Sequence, residues 1–306
     1  MTPMTEIEKL KDGVYEKVMS RRFAEVLKEA LAEDQVRAEE EDVDAEEAVG
    51  YLSSYLQRVI RLCLKDIADR DEENSVDHQL ALTNELIASL AKKTEELGGG
   101  QEVANAPFLL RSLEHKKNTL LPRRWERPAT SLTRSFLFTN SKKDVSMVHE
   151  LTKEIASSDR IDFLISFIRF SGLQLLLPAL RLFTARGGHL RIVTTTYMGA
   201  TDPKAIEVLA SLPHTEVRIS YDVKETRLHA KSYMFYRESG YSTAYIGSSN
   251  LSHAAIAEGM EWNMKVTAQD QPHIIDKMSA TFETYWHSED FTSYEQQKEE
   301  EKLRRA

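Results

Sequence analysis

Apolar residues recur at intervals of three and four between Glu6 and Leu97, as in Tyr51, Tyr55, Leu56, Val59, Ile60 and Cys63, and again in Leu82, Leu86 and Leu90. That spacing lines one face of α-helices. No proline falls between Pro3 and Pro107 to interrupt them. Ser75 or Asp77 is placed to cap the helix that runs through Leu90. The pattern therefore predicts an all-helical domain over residues 1–97. Gly98, Gly99 and Gly100 end it, and residues 98–134, with Pro107, Pro122 and Pro128 among scattered charge, read as a linker.

From about Ser135 short β-rich runs alternate with helical ones: Ile161 to Ile168, Leu173 to Ala185, Leu190 to Tyr197, Pro203 to Ser211 and Glu216 to Ser220. Such alternation predicts a mixed or parallel sheet covered by helices. The nearly unbroken apolar run from Phe163 to Ile168 fits a strand buried on both faces. Gly172 and the pair Gly187, Gly188 are read as turns between strand and helix. Pro272 to His287 is again helical, and the second domain is taken as 135–290, followed by a charged helix or tail over 291–306.

Composition narrows the class. The single cysteine, Cys63, excludes a disulfide framework and a cysteine-based zinc site, which fits a reduced cytoplasm. No run approaches the roughly 18 apolar residues of a membrane span, and the N-terminus lacks the apolar core of a signal peptide, so a cytoplasmic protein with no membrane partner is expected. The net charge of -9 argues mildly against nucleic-acid binding. Its distribution weakens that objection, because much of the acid lies between Glu33 and Glu47 and between Glu295 and Glu301, in runs that read as solvated. Arg123, Arg124, Arg127, Arg134, Lys142 and Lys143 gather mid-chain.

The candidate chemistry lies late in the chain. Along Arg227–Tyr236, residues two apart share a face of a strand, so His229 and Lys231 point together while Leu228 and Ala230 face away. A second strand, Thr243 to Ile246, ends in Gly247-Ser248-Ser249-Asn250 before a helical run from Leu251 to Gly259. A glycine-led turn opening a helix can surround an anion with backbone N–H groups and short polar side chains. Glu261 opens a further strand-like run. Attack on a phosphodiester needs a nucleophile, a proton donor for the leaving oxygen and positive or donor groups around the developing charge. A histidine serves the first two roles, with Glu261 to orient it. Lys231 supplies a point charge, and Asn250 and Ser248 are neutral donors. This chemistry requires no metal.

His229-x-Lys231, then Gly247-Ser248-Ser249-Asn250 and, eleven positions on, Glu261, resembles the HxK–GSxN–E signature of the phospholipase D superfamily, in particular its bacterial single-motif nucleases. The customary aspartate five positions after the lysine is Tyr236. The wider text, Thr195 to Asp202, Arg227 to Lys231, Ala244 to Ser252 and Glu261-Trp262-Asn263, resembles the N-terminal nuclease segment of helicase-fused, modification-dependent (Type IV) restriction enzymes. The resemblance implies an α/β fold, a phospholipase D-like mixed sheet flanked by helices and preceded by a smaller all-helical domain. It implies a DNA endonuclease of a restriction or defence system that needs no cofactor. One His229 attacks phosphorus, and the same residue of a second copy protonates the leaving group, so a homodimer is implied. A DEAD/DEAH-type motor and a DNA-recognition domain are the further expected partners. The chain has no Gly-x-x-x-x-Gly-Lys-Ser/Thr loop and stops where such a motor would begin, so it is expected to be a piece of a longer protein.

Blander readings stand beside these. His115-Lys116-Lys117 also fits H-x-K, but no Gly-Ser-x-Asn turn follows, so it reads as a basic linker. The other histidines lack metal-ligand spacing, so no metal is expected. His253 reads as a surface or supporting residue. Glu258 rivals Glu261, and spacing favours the latter. Gly247, Ser249, Arg227, Thr195 and Tyr197 are candidate substrate-binding residues. Arg227 serves equally as a charge partner of Glu225 or Asp222, and Thr195 and Tyr197 equally as core or turn residues. Trp262 and Trp286 read as packed anchors. The alternatives kept for the whole are a phospholipase-type phosphodiesterase and a catalytically silent dimerisation or DNA-docking module.

Overall fold

The computed structural model describes residues 15–16, 18–33, 36–70, 73–94, 96, 100–104, 109–113, 126–139, 141, 145–196, 199–221, 228–258 and 261–294. The chain divides into two compact units, Met1–Arg111 and Ser112–Ala306.

In the first unit, α1 (Arg21–Ala32) starts where the Ser20 hydroxyl accepts a hydrogen bond from the Phe23 N–H at 3.2 Å. It buries Phe23, Leu27 and Ala30 against Val26 and Val36. α2 (Ala48–Arg70) and α3 (Ser75–Ala91) pack on each other, yet neither contains a fully buried residue. Ser75 and Asp77 do not cap α3, because the helix already begins at Ser75. Asn74 is the cap residue, without a side-chain hydrogen bond, and Asp77 falls in the first turn.

The second unit is built on an eight-stranded mixed sheet in the order β1-β7-β6-β5-β2-β3-β4-β8. Its strands are β1 (Phe136–Phe138), β2 (Arg160–Ile165), β3 (His189–Thr195), β4 (Thr215–Ser220), β5 (Lys231–Tyr236), β6 (Thr243–Gly247), β7 (Asn263–Thr267) and β8 (Thr292–Ser293). β2, β3 and β4 run parallel, and every other pairing is antiparallel. The helices are α4 (Met147–Ser157), α5 (Phe170–Ala185), α6 (Pro203–Ala210) and α7 (Pro272–His287). The mixed sheet flanked by helices and the helical first unit are the fold the sequence predicts. Strand β8 is an addition, too short and polar to leave a pattern, and the charged residues 295–306 lie outside the described residues.

Alternation along β5 sorts its side chains between two cores. Tyr233 and Phe235 join Phe163, Ile165, Leu151 and Leu176 beneath α4, α5 and α6. Met234 and Tyr236 join Leu164, Val193, Phe282 and Trp286 beneath α7. Because the side-chain period of a strand is two, His229 and Lys231 belong to the face of Tyr233, and Tyr236 belongs to the other.

A buried charge network ties α4 to the sheet. The Glu154 carboxylate accepts hydrogen bonds from Arg237 Nη2 at 2.5 Å, Thr243 Oγ1 at 2.8 Å and Tyr245 Oη at 2.8 Å, and lies 2.8 Å from Lys265 Nζ. Lys265 also reaches Glu150 at 3.1 Å, and Glu150 accepts the N–H of Ala129 at 2.7 Å. Two carboxylates and two cations are thus removed from water together, with each charge paired. Residues 126–134 lie in the second unit, where Ala129 and Thr130 are pinned to α4 by these bonds.

Candidate functional site

β5 opens at Lys231, two residues after His229. Lys231 pairs with Ile165 at the end of β2, and the preceding carbonyl, of Ala230, accepts bonds from Ser166 N at 3.1 Å and Ser166 Oγ at 3.2 Å. The segment His229–Lys231 is therefore held as an extension of the ladder. Thr195 buttresses it from behind. It is fully buried, and its hydroxyl donates to the Ser166 carbonyl at 2.9 Å. Thr195 is thus placed as a support of the strand end, the core reading of the two that the sequence left open. Tyr197 and Arg227 lie outside the described residues.

The turn 247–250 is fixed by close approach. Gly247 pairs with Asn263 across β6 and β7, and a Cβ there would come 2.1 Å from the Trp262 carbonyl oxygen. Ser249 is buried. Its hydroxyl accepts from Asn263 Nδ2 at 2.7 Å and donates to the Ala255 carbonyl at 3.2 Å, while Tyr233 Oη donates to its carbonyl at 2.9 Å. Ser249 is accordingly the internal strut of the turn and does not line the cleft. Asn250 Oδ1 accepts the Phe167 N–H at 3.3 Å, which leaves its Nδ2 as the donor for an anion. Ser248 is exposed, and its hydroxyl accepts from Trp262 N at 3.2 Å, so it also holds the chain next to Glu261.

Among the described residues no α-helix directly follows the turn. Leu251 forms a parallel bridge with Ile168, and its carbonyl accepts the Arg169 N–H at 2.8 Å, so the backbone stays extended until Ser252. Only a single π-helical turn, Ala254–Glu258, comes after it. The helix N-terminus expected from the sequence after the turn is therefore not found among the described residues. Gly172, read as a turn residue, lies inside the first turn of α5, where a Cβ would meet the Ser252 backbone at 2.5 Å; its bareness lets α5 and this loop touch.

His229, Lys231, Gly247, Ser248, Asn250 and Glu261 line one cleft of about 440 Å³. His229 is exposed, whereas Lys231 is 5% exposed. Lys231 Nζ lies 2.9 Å from His229 Nδ1 and 3.2 Å from Nε2, and it donates to the His229 carbonyl at 2.7 Å. Burial pushes the Lys231 pKa down, and the charge of Glu261 partly opposes that. Burial and Glu261 together push the Tyr233 hydroxyl up, so it stays neutral and donates to the turn. Glu261 lies two residues before β7, in extended chain; the Glu258 side chain lies outside the description. Among the described residues no group of three or more His, Cys, Asp or Glu side chains is placed to hold a metal ion.

Tyr236 is on the sheet face away from the cleft, with the Arg160 guanidinium 3.9 Å over its ring. The departure from the HxK signature therefore touches none of the cleft residues. Trp286 is packed, as expected, but Trp262 is 65% exposed. β7 leaves Trp262 before its first residue, and with Met264 and Ile246 it faces solvent. The supports that sequence reasoning missed are Tyr233, Asn263, Ser166 and Phe167. Tyr233 alone had a signal, its place two residues beyond Lys231 on the same face.

Residues 151–286 match the family model described as "Cardiolipin synthase, PLD-like domain", a little under half of the chain. This stretch and its sheet make the fold phospholipase D-like. No curated protein matches the chain. NucT from Helicobacter pylori is similar at 19% identity over 53% of this chain and 99% of its own, with a TM-score of 0.42. Nuc from Salmonella typhimurium, a phospholipase D family member, is similar at 18% identity over 47% of this chain and 88% of its own, with a TM-score of 0.36. Phosphatidylserine synthase from Haemophilus influenzae is similar at 10% identity over 52% of this chain and 39% of its own, with a TM-score of 0.38.

Proposed function

We propose that the chain is a metal-independent phosphodiesterase that cuts DNA, and that its cleft is half of an active site completed by a second copy. The observation that carries this reading is the convergence of His229, Lys231, Asn250 and Glu261 in a single cleft, although they come from three separate stretches of the chain. His229 is exposed there, beside the Lys231 ammonium. Its ring nitrogen attacks, a P–N bond forms, and the P–O bond to the leaving group breaks. The leaving oxygen takes its proton from the partner subunit's His229. Water then attacks the phosphohistidine, the P–N bond breaks, and the proton of that water returns to the same partner histidine. Lys231 and the Asn250 amide hold the non-bridging oxygens, with Ser248 at the lip of the cleft, and their charge and dipoles favour the crowded transition state. The charge of Glu261 partly opposes the burial that lowers the Lys231 pKa, and the same carboxylate orients the histidine.

The resemblance to helicase-fused restriction enzymes supports a place as the nuclease module of a restriction or defence system, working with an ATP-driven motor and a DNA-recognition domain. The description of the matching family model favours a second reading, phosphatidyl transfer or phospholipid hydrolysis by the same residues. No described helix is long and apolar enough to cross a membrane. The test is to incubate the chain in EDTA with plasmid, with single strands and with phospholipid vesicles, beside the His229→Ala variant. DNA cleavage in EDTA that is lost in the variant is expected. Cleavage that needs a divalent metal or survives the substitution sinks the proposal, and turnover of phospholipid alone selects the second reading.

A further inference from the structure

Trp262 is 65% exposed, more than any other Trp, Tyr or Phe among the described residues. Bare aromatic surface of that size beside a cleft marks contact with something the chain itself does not supply. Its backbone, by contrast, is pinned. The Trp262 carbonyl accepts the Ser248 N–H at 3.1 Å, and the Trp262 N–H donates to the Ser248 hydroxyl at 3.2 Å. These bonds carry the register of β6 and β7, Ile246 with Met264 and Gly247 with Asn263, one pair further, to Ser248 with Trp262.

Residues directly opposite in an antiparallel pair share a face and stand about 5 Å apart at Cβ. Ser248 lines the cleft together with His229, Lys231 and Asn250. The indole therefore stands at the lip of the cleft, one side chain away from the groups that would hold a phosphate. Behind it the same face continues in Ile246, 48% exposed, and Met264, 43% exposed, with Leu137 of β1 opposite Met264. The result is an aromatic wall with an apolar floor next to the cleft.

The group attached to a phosphate held in the cleft is a nucleoside if the substrate is DNA and an acylglycerol if it is a phospholipid. Two observations favour the nucleoside. Both backbone groups of Trp262 are tied to Ser248, so the ring is held at a set distance from the cleft, as suits a ligand of fixed internal length. On the same sheet face α7 covers Ala244 and Val266, so the apolar floor is a step beside a helix about 10–12 Å thick. A single strand can lie along such a step, whereas a planar bilayer is held off it.

We propose that Trp262 is a stacking platform for the base next to the scissile phosphate, so that the cleft takes single-stranded or locally unpaired DNA in preference to duplex. This rests on the phosphodiesterase reading and adds the form of the substrate. A base inside a duplex has both faces covered by its neighbours, and only an unpaired base can lay one on the indole. Every base has such a face, so this contact brings no sequence preference.

The test separates binding from cleavage by using the full chain with His229→Ala, in EDTA, and a labelled oligonucleotide followed by fluorescence anisotropy. Adding Trp262→Leu, which keeps apolar bulk and removes the ring, is expected to weaken single-strand binding about tenfold, whereas Trp262→Phe keeps it within about threefold. Duplex of the same sequence is expected to bind more weakly and to lose less on Trp262→Leu. Tryptophan emission should fall when single strand is added, and most of that fall should vanish with Trp262→Phe. The proposal is overturned by a Trp262→Leu chain that binds single strand within twofold of its parent, or by equal losses for duplex and single strand. Emission that responds to anionic phospholipid vesicles and not to the oligonucleotide overturns it too. Quenching by single strand at Trp262, with no cleavage by the wild type, leaves the platform standing and sinks the catalytic reading. Cleavage in EDTA by a wild type whose affinity ignores Trp262→Leu does the reverse.

Discussion

Lys231 and His229, two residues apart, are joined more tightly than strand alternation alone requires: the lysine ammonium lies within 3.2 Å of both ring nitrogens of the histidine and bonds its backbone carbonyl. The lysine thereby fixes the face that the imidazole shows to the cleft. Replacing Lys231 with Met removes both the charge and this brace. Turnover is expected to fall on the order of 100-fold or more, since one such electrostatic donor contributes about 2.7–4 kcal/mol to a transition state. Single-turnover kinetics with a labelled oligonucleotide check it, and a change under tenfold would rule out the role.

The alkaline limb of activity should reflect Lys231. Its pKa is lowered by burial, so the ammonium loses its proton at a lower pH than a free lysine does. Activity that needs the ammonium therefore declines below the ordinary lysine range. Glu261 opposes that shift. Glu261→Gln is accordingly expected to move the limb to lower pH still, measured as kcat/KM across pH 7 to 11, and an upward displacement contradicts the assignment.

Gly247→Ala and Gly172→Ala test close approach. In α5 an alanine is intrinsically better than glycine by about 1 kcal/mol. At Gly172, however, the new methyl collides with backbone at 2.5 Å, and at Gly247 with the Trp262 carbonyl at 2.1 Å. Rigid backbone cannot yield cheaply, so each change is expected to lower stability by about 1–3 kcal/mol. Urea unfolding measures it, and a stabilised Gly172→Ala would show that the loop bearing Asn250 moves freely.

The acid stability of the second unit should depend on Glu154. Its burial raises the carboxyl pKa, but Arg237 and Lys265 outweigh burial and hold it below the ordinary value of 4.5. A carboxylate depressed in the folded state contributes stability that is complete above its unfolded pKa and is lost as pH falls through the folded one. Removing one partner of such a buried set costs about 3–5 kcal/mol. Glu154→Gln is thus expected to lower Tm at pH 7 and to flatten its decline between pH 5 and 3. A variant whose decline stays as steep as that of the wild type would locate the acid sensitivity elsewhere.

The two tryptophans should separate. Trp286 is packed on Phe282, with the guanidinium groups of Arg191 and Arg218 about its ring, whereas Trp262 is mostly in solvent. Trp286→Ala is expected to cost about 3–5 kcal/mol. Trp262→Ala should stay within about 0.5 kcal/mol. Equal losses in denaturant titrations would mean that Trp262 is covered.

Much of this protein is written in short-range pattern. The nearly unbroken apolar run from Phe163 to Ile168 predicted a strand buried on both faces, and β2 is buried so through Ile165; three-four spacing marked α2 and α3, and the residue types of His229, Lys231 and Asn250 suggested the chemistry. Parity along β5 even placed His229 and Lys231 on one face and Tyr236 on the other, because a strand's side chains alternate whatever lies around it. Pattern of that kind cannot see contacts between distant stretches, and those decided the rest. Leu251 stays extended because Ile168 and Arg169 bind it, so a helical-looking run after the turn shrinks to one π-turn. Thr195 and Ser249 are small polar residues whose hydroxyls serve equally well for a ligand or for a neighbouring carbonyl, and the carbonyls of Ser166 and Ala255 claimed them. Trp262 lies in solvent because it is two residues from Met264, on the face of the sheet that Met264 and Ile246 also expose. Local sequence determined which groups are available and which way each strand presents them. Tertiary packing determined which of them are occupied by the protein itself and which remain open to a cleft.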